Sequence, residues 1–345
     1  MAKELTEKIR AIVSHYGLDI EYVEVISKKV YKVYTAQGSF ALKELSSARN
    51  QRFFETYENL YKSNYQSFVP IFSTKEQHPI VTDGEKQYYL MPWYLPFQDE
   101  ERDERHKYLF KEAAELHKKT IKEIPLNKEE TRIYYEKTKQ LWNENKMNYE
   151  KFVDKSEKKW YVSPFELQAL TYYIEASRAT DFALEKLDEW FEAVKDLEET
   201  RIVYIHGRLS AHHFLYDDEG TGHFINFEQA AYAPPINDLL LFYFRTLNSY
   251  PVTCNECVDW FYTYSANFPL KEEEKNLFLS YLAYPNSIYK VVQSYQKKNR
   301  SKKSQLEETK EITKAYWQFK NIEHLVMTIS DIEARKKAEQ EAAES

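Results

Sequence analysis

The stretch Val203-Tyr-Ile-His206-Gly-Arg208-Leu-Ser-Ala-His-His213-Phe-Leu-Tyr216, followed after a turn by His223-Phe-Ile-Asn226-Phe-Glu228, decides how this chain is read. Two apolar runs, Ile202–Ile205 and Phe224–Phe227, bracket a polar loop and a turn at Asp217–Gly222. Short apolar runs bounded by turn residues predict strand, loop, short strand, turn and strand.

The spacing, with His206, Gly207, Leu209, Phe227 and Glu228, resembles the catalytic segment of the kinase-like aminoglycoside and choline phosphotransferases. That family's pattern is His-Gly-Asp-Leu-His-x-x-Asn, then Ile-Asp-Phe-Glu further on. The resemblance implies an α+β, bilobal, protein-kinase-like fold: a β-rich N-lobe over residues 1–93, a helical C-lobe over 94–335 and a flexible tail over 336–345. Three positions depart from the pattern. Arg208 stands where the family has its catalytic Asp, His213 where it has a metal-binding Asn, and Asn226 where it has a second metal-binding Asp.

Those departures carry chemistry. Magnesium takes oxygen ligands, usually with one or two carboxylates. An imidazole suits zinc or copper better, and Asn226 keeps an oxygen without the charge. A guanidinium cannot accept a proton, and losing a general base costs roughly 10²- to 10⁴-fold in rate. Two carboxylates replaced by one guanidinium shift the site from −2 to +1. The expectation is therefore a catalytically inactive site with no metal and no cofactor. The residual ligand it allows is a metal-independent nucleotide or phosphate, held by Lys43 and Arg208 with Met91 at the nucleotide site. The alternative is a small-molecule phosphotransferase of aminoglycoside or choline type with an atypical active site. Its missing carboxylate would come from Asp217, Asp218 or Glu228, the last two residues past Asn226 and so on the same face of a strand. Against this, Glu228 is expected to pack on its own loop.

Outward from this segment, residues 3–15 read as a helix stopped by Gly17, and residues 21–27, 30–35 and 40–45 as an antiparallel meander. Lys43 lies in the third strand. A strand lysine is ordinarily a solvated edge residue, but the resemblance places it as the phosphate-pairing lysine. The loop before it, Ile26-Ser27-Lys28-Lys29-Val30, lacks the glycines that let backbone N–H groups approach phosphates. A helix over 47–63 offers Glu55 and Glu58 to orient Lys43, and periodicity does not choose between them. Residues 68–72, 80–83 and 88–93 read as two strands and a bridging segment, and Met91–Leu95 resembles the hinge where backbone groups meet adenine. Pro92 there has no N–H to donate.

The rest reads as helix. The helices are placed at 105–119, carrying a packing histidine at His117, at 134–145, at 165–193 as one helix or two broken near Thr180, and at 257–265, 272–283, 288–296 and 305–327. Residues 146–159 read as a charged surface loop or insertion, 230–235 as a turn, and 335–345 as a fraying helical tail. Asp238 is the resemblance's loop-bracing aspartate and equally a helix N-cap; His206 is the other support of the loop. Cys254 and Cys257, the only cysteines, read as two thiols on the first turn of a helix, a redox pair or half of a zinc site.

The segment around Leu282-Ala-Tyr-Pro285 and Ile288–Val292, with the altered loop and Pro92-Trp93, resembles the bacterial spore-coat kinase-like proteins of CotS and YsxE type, over roughly residues 20–330. That resemblance implies a structural or assembly role in the endospore coat, other coat proteins as partners, and assembly from the mother-cell cytoplasm. The formal charge of −7 argues against nucleic acid. No run reaches the roughly 18 apolar residues of a membrane span, and the N-terminus lacks a signal-peptide core. The 29 tyrosines are expected to be mostly half-buried, with exposed ones serving as contact or cross-linking residues. Lys297–Lys303 is a solvated basic loop.

Overall fold

The computed structural model describes residues 2–45, 50–96, 101–248, 253–297 and 303–344. The interior of the basic loop, residues 298–302, lies outside the described residues. The chain forms two compact units, one of residues 1–119 and 206–231, the other of 120–205 and 232–345. The first unit thus runs past residue 93 to residue 119 and takes in the 206–231 segment.

In the first unit, α1 (Ala2–Ser14) leads into β1 (Ile20–Ser27), β2 (Val30–Thr35) and β3 (Gly38–Leu45). After α2 (Asn50–Lys62), β4 (Val81–Asp83) and β5 (Lys86–Pro92) complete an antiparallel sheet in the order β1-β2-β3-β5-β4. β-branched and aromatic residues alternate along β2, whose buried Tyr31 and Val33 meet Ile9, Ile12 and Val13 of α1 and Leu42 and Leu90 of the sheet. The segment at 68–72 is not a strand; Phe68 forms an isolated bridge with Phe224. α3 (Arg102–Lys119) is followed, within this unit, by the β8 (Phe214–Tyr216) and β9 (Gly222–Phe224) hairpin. His117 is fully buried in α3.

The second unit pairs β6 (Lys122–Pro125) with β7 (Glu199–Ile205) and carries α4 (Lys128–Glu157) and α5 (Pro164–Val194). It ends in α6 (Ile236–Thr246), α7 (Glu256–Asn267), α8 (Glu272–Ala283), α9 (Asn286–Gln296) and α10 (Gln305–Glu344). The expected loop at 146–159 is instead the second half of α4. Tyr149, Phe152, Val153 and Ser156 are buried there at spacings of three and four, the stripe that holds a helix to its neighbours. Asn127 starts the helix by accepting the N–H of Glu130 at 3.1 Å.

α5 is unbroken at Thr180, whose hydroxyl bonds the Ala176 carbonyl at 2.8 Å and meets the Tyr289 hydroxyl at 2.6 Å. A capping box at Ser163 and Glu166, with Pro164 at the first turn, sets its start. The turn expected at 230–235 contains a short strand, β10 (Ala231–Ala233), and the expected tail continues α10 to Glu344. Cys254 and Cys257 are joined in a disulfide rather than being two thiols. Cys254 lies just before α7 and Cys257 in its first turn, their Cα atoms 5.5 Å apart. The described tyrosines divide between buried ones such as Tyr149, Tyr243, Tyr264 and Tyr289, half-buried ones such as Tyr16, Tyr94, Tyr135 and Tyr316, and the exposed Tyr22, Tyr61, Tyr134 and Tyr161.

Candidate functional site

Within the first unit the loop from His206 is fastened to the strand that follows it. His206 is buried, its Nε2–H donating to the Ile225 carbonyl at 2.8 Å while Nδ1 accepts the Arg208 N–H at 3.1 Å. His213 donates Nδ1–H to the Arg208 carbonyl at 2.9 Å, and its own carbonyl accepts the Ile225 N–H at 2.9 Å. His206 thus supports the loop from both ring nitrogens. Gly207 sits at φ +74°, where a Cβ would overlap the backbone of Gln229. Gly207→Ala should cost about 2 kcal/mol or more of stability from the left-handed backbone and the overlap, checked by urea unfolding.

Asn226 is also left-handed, at φ 69° and ψ 46°, a conformation Asn and Asp tolerate. Its backbone turns the chain out of β9 into a single 3-10 turn at Phe227–Gln229. Glu228 is therefore not on a strand, and the alternation argument for its direction does not apply. The turn carries it to Lys43 of β3, whose ammonium donates to both the Glu228 carboxylate and the Asn226 side-chain oxygen. The Tyr89 hydroxyl of β5 donates to Glu228 at 3.3 Å. Glu228 does not simply pack on its own loop; it fills the place of the partner expected from α2. Glu58 instead pairs with Lys62 on the surface and Glu55 is exposed. The inward face of α2 is aromatic, with Phe53 4.7 Å from Tyr89 between ring centroids.

The Lys43 and Glu228 side chains are only 15% and 10% exposed. Burial pushes the Glu228 carboxyl up, but the Lys43 charge and hydrogen bond outweigh it and hold it below the usual range. Burial pulls the Lys43 ammonium down against the attraction of Glu228, and the charges of Arg208 and Lys29 add to that pull. Burial also lowers His213 to about 4, so the ring is neutral at pH 7. His106, in α3, is lowered to about 4 for the same reason. An unfolded chain takes up these protons near 6.5 and the folded one only near 4. Stability should fall as pH drops through that window. His213→Asn should flatten part of the fall in thermal melts from pH 7 to 4.5.

The remaining candidates are placed as follows. The β1–β2 turn at Lys28 and Lys29 is closed on itself: the Lys29 N–H donates to the Ser27 hydroxyl at 3.3 Å and its carbonyl accepts the Glu44 N–H at 2.8 Å. Met91 is buried in β5 opposite Ala41. In the hinge-like stretch, the Trp93 N–H goes to the Ser39 carbonyl, and Leu95 exchanges both backbone groups with Tyr216, at 3.2 and 2.9 Å. Asp217 is held by His223 and by the N–H groups of Glu219 and Thr221, and Asp218 is exposed. Asp238 belongs to the second unit. It is the third residue of α6 and fully buried, so it is not the N-cap; Pro235 holds that position.

This donor set does not fit a magnesium–nucleotide complex. It offers one carboxylate already on an ammonium, one amide, one neutral imidazole and a guanidinium. Among the described residues no three His, Cys, Asp or Glu side chains gather as metal ligands would.

No family model matches the chain, and no curated protein matches it. Solved structures do. An aminoglycoside phosphotransferase from Alicyclobacillus acidocaldarius subsp. acidocaldarius DSM 446 aligns over 93% of this chain and 95% of its own, at 16% identity and a TM-score of 0.67. The spectinomycin phosphotransferase APH(9)-Ia, bound to ADP and spectinomycin, covers 92% and 98% at 14% identity and a TM-score of 0.52. A microcompartment-associated aminopropanol kinase covers 94% and 98% at 11% identity, also at 0.52. The chain thus has an aminoglycoside phosphotransferase-like α+β fold, with a β-rich N-terminal region and a largely helical C-terminal part.

Proposed function

We propose that this chain is a phosphotransferase-fold protein that does not transfer phosphate and serves a structural or assembly role. The observation that carries the reading is Lys43, whose ammonium is taken by Glu228 and Asn226 of its own chain, while Arg208 stands at the position of the base. A guanidinium cannot accept the acceptor hydroxyl's proton, and the one inward carboxylate is already paired. The sequence resemblance to spore-coat kinase-like proteins supplies the finer role: a component of the endospore coat, assembled from the mother-cell cytoplasm with other coat proteins. No helix among the described residues is long and apolar enough to cross a membrane. The test has two arms. Purified protein is assayed for magnesium-dependent ATP turnover with small-molecule hydroxyl acceptors, and a fluorescent fusion is followed through sporulation. Robust turnover, or a fusion that never joins the forespore surface, sinks the corresponding half.

One observation favours a second reading, a small-molecule phosphotransferase with an atypical site. Glu228 does turn inward, as a displaced carboxylate would, and the structural neighbours include phosphotransferases of spectinomycin and aminopropanol. On that reading turnover is present in wild type and abolished in Glu228→Ala. A thermal-shift series with ATP, with and without magnesium, tests the residual site at Lys43, Arg208 and Met91. A metal-independent shift supports nucleotide or phosphate binding there.

A further inference from the structure

The helical unit contains a cavity of about 740 Å³ between the end of α4, the start of α5, the end of α9 and the start of α10. α4 follows β6 and α5 precedes β7, so the cavity lies at the far end of their hairpin. At 1.5 Å per residue that is about 40 Å from those strands. Its size falls within the roughly 300–1,000 Å³ of small-molecule sites. None of its walls belongs to the Lys43 cluster, and the inference does not rest on how that cluster is read.

The walls have a definite chemistry. Lys151, Lys155, Lys159 and Lys303 line the cavity against two carboxylates, Glu166 and Glu308; Lys303 is paired with Glu311, so the positive excess comes from Lys151 and Lys155. Glu166 is held by Lys159 and by the Ser163 N–H. Lys151 and Lys155, one helical turn apart, have no ion-pair partner among the described residues. Ser156 also lines the cavity; it is 1% exposed and its hydroxyl has no hydrogen-bond partner. Buried hydroxyls are almost always bonded, so this one leaves a donor for an acceptor placed beside Lys151 and Lys155. Phe152 and Tyr295 supply an apolar wall. At the hairpin tip next to Lys159, Trp160 is fully exposed and Tyr161 is 75% exposed.

We propose that this cavity binds the phosphate group of an organic phosphate. Lys151 and Lys155 neutralise it and the Ser156 hydroxyl donates to one of its oxygens. Lysine serves phosphate as a point charge, and the apolar wall takes the organic part. The phosphate arrives either on a soluble ester or on a lipid headgroup, with Trp160 and Tyr161 at the interface in the second case.

The full chain is titrated with pyrophosphate and, separately, with phosphatidylglycerol and phosphatidylcholine vesicles, by calorimetry and sedimentation. Wild type should bind pyrophosphate, phosphatidylglycerol vesicles or both, and not phosphatidylcholine. Lys151→Glu/Lys155→Glu, at exposed positions, should bind at least tenfold more weakly with an unchanged melting temperature. Ser156→Ala should weaken binding several-fold. Lys43→Met/Glu228→Gln should bind as wild type, which separates this cavity from any nucleotide site in the other unit. Binding to vesicles alone assigns the phosphate to a lipid. No binding to either probe at millimolar concentration, or binding indifferent to the lysine changes, overturns the proposal.

Discussion

Arg208→Asp/His213→Asn/Asn226→Asp should create a magnesium requirement in ATP binding. ATP is expected to bind at least tenfold more tightly with magnesium than without, where wild type shows no such difference. The three changes lower the local charge by three units and restore two carboxylates, the ligands magnesium prefers. The backbone is already suited to them. Position 226 is left-handed, where Asp is as well tolerated as Asn. Arg208 holds the loop through its N–H and carbonyl, which survive the change, and an Asn amide keeps a donor for that carbonyl. A carboxylate at 208 also restores a group able to take the acceptor's proton, so turnover should rise by roughly 10² or more. Calorimetry with ATP, with and without magnesium, and a coupled ADP assay are the measurements. A variant that folds as wild type yet remains indifferent to magnesium would show that the three positions do not form one metal site.

Glu228→Gln should lose about 3 kcal/mol of stability, because it strands the Lys43 charge in a place only 15% exposed. The double variant Lys43→Met/Glu228→Gln should regain at least half of that, since removing both charges removes the desolvation cost along with the attraction. The pH dependence has a definite sign. The Lys43 ammonium holds the Glu228 carboxyl below the ordinary carboxylate value. Its stabilisation is therefore present above that value and lost as pH falls through the lower folded value. Wild type and Glu228→Gln should converge in acid and diverge near neutrality. Urea unfolding at the two ends of this range checks both statements. Equal stability of the single variant and wild type at pH 7 would mean that Lys43 is neutral and the pair is not an ion pair.

These predictions concern residues that the sequence identified but did not arrange. His206, Gly207 and Asn226 were legible from the resemblance carried by one loop, and Lys43 from its place in the third strand. The partner of Lys43 was not: Glu55 and Glu58 of α2 were the candidates, and Glu228 makes the contact. The missing information was backbone conformation at one residue. Asn226 in the left-handed region turns the chain out of its strand, so alternation could not say where Glu228 points. The second half of α4 was missed for a different reason. Residues 146–159 are rich in Lys, Glu and Asp, which hides Tyr149, Phe152, Val153 and Ser156 at helical spacing. That stripe was available in the sequence, and charge on the solvent face outweighed it. The disulfide between Cys254 and Cys257 needed the start of α7 to be placed before the two sulfurs could be seen to meet.

By itself the sequence determined the fold class, the meander that carries Lys43, the loop from His206 and the absence of carboxylates at 208, 213 and 226. The fold class and the roles at 208, 213 and 226 came from the motif's resemblance to a known family, the meander and loop from local periodicity and residue identity, which act over a few positions. Only the tertiary structure decided that Glu228 rather than α2 holds Lys43, and that a lysine-lined cavity opens between the ends of α4, α5, α9 and α10. Both depend on side chains far apart in the chain, whose meeting is fixed by backbone turns and packing that no local pattern encodes.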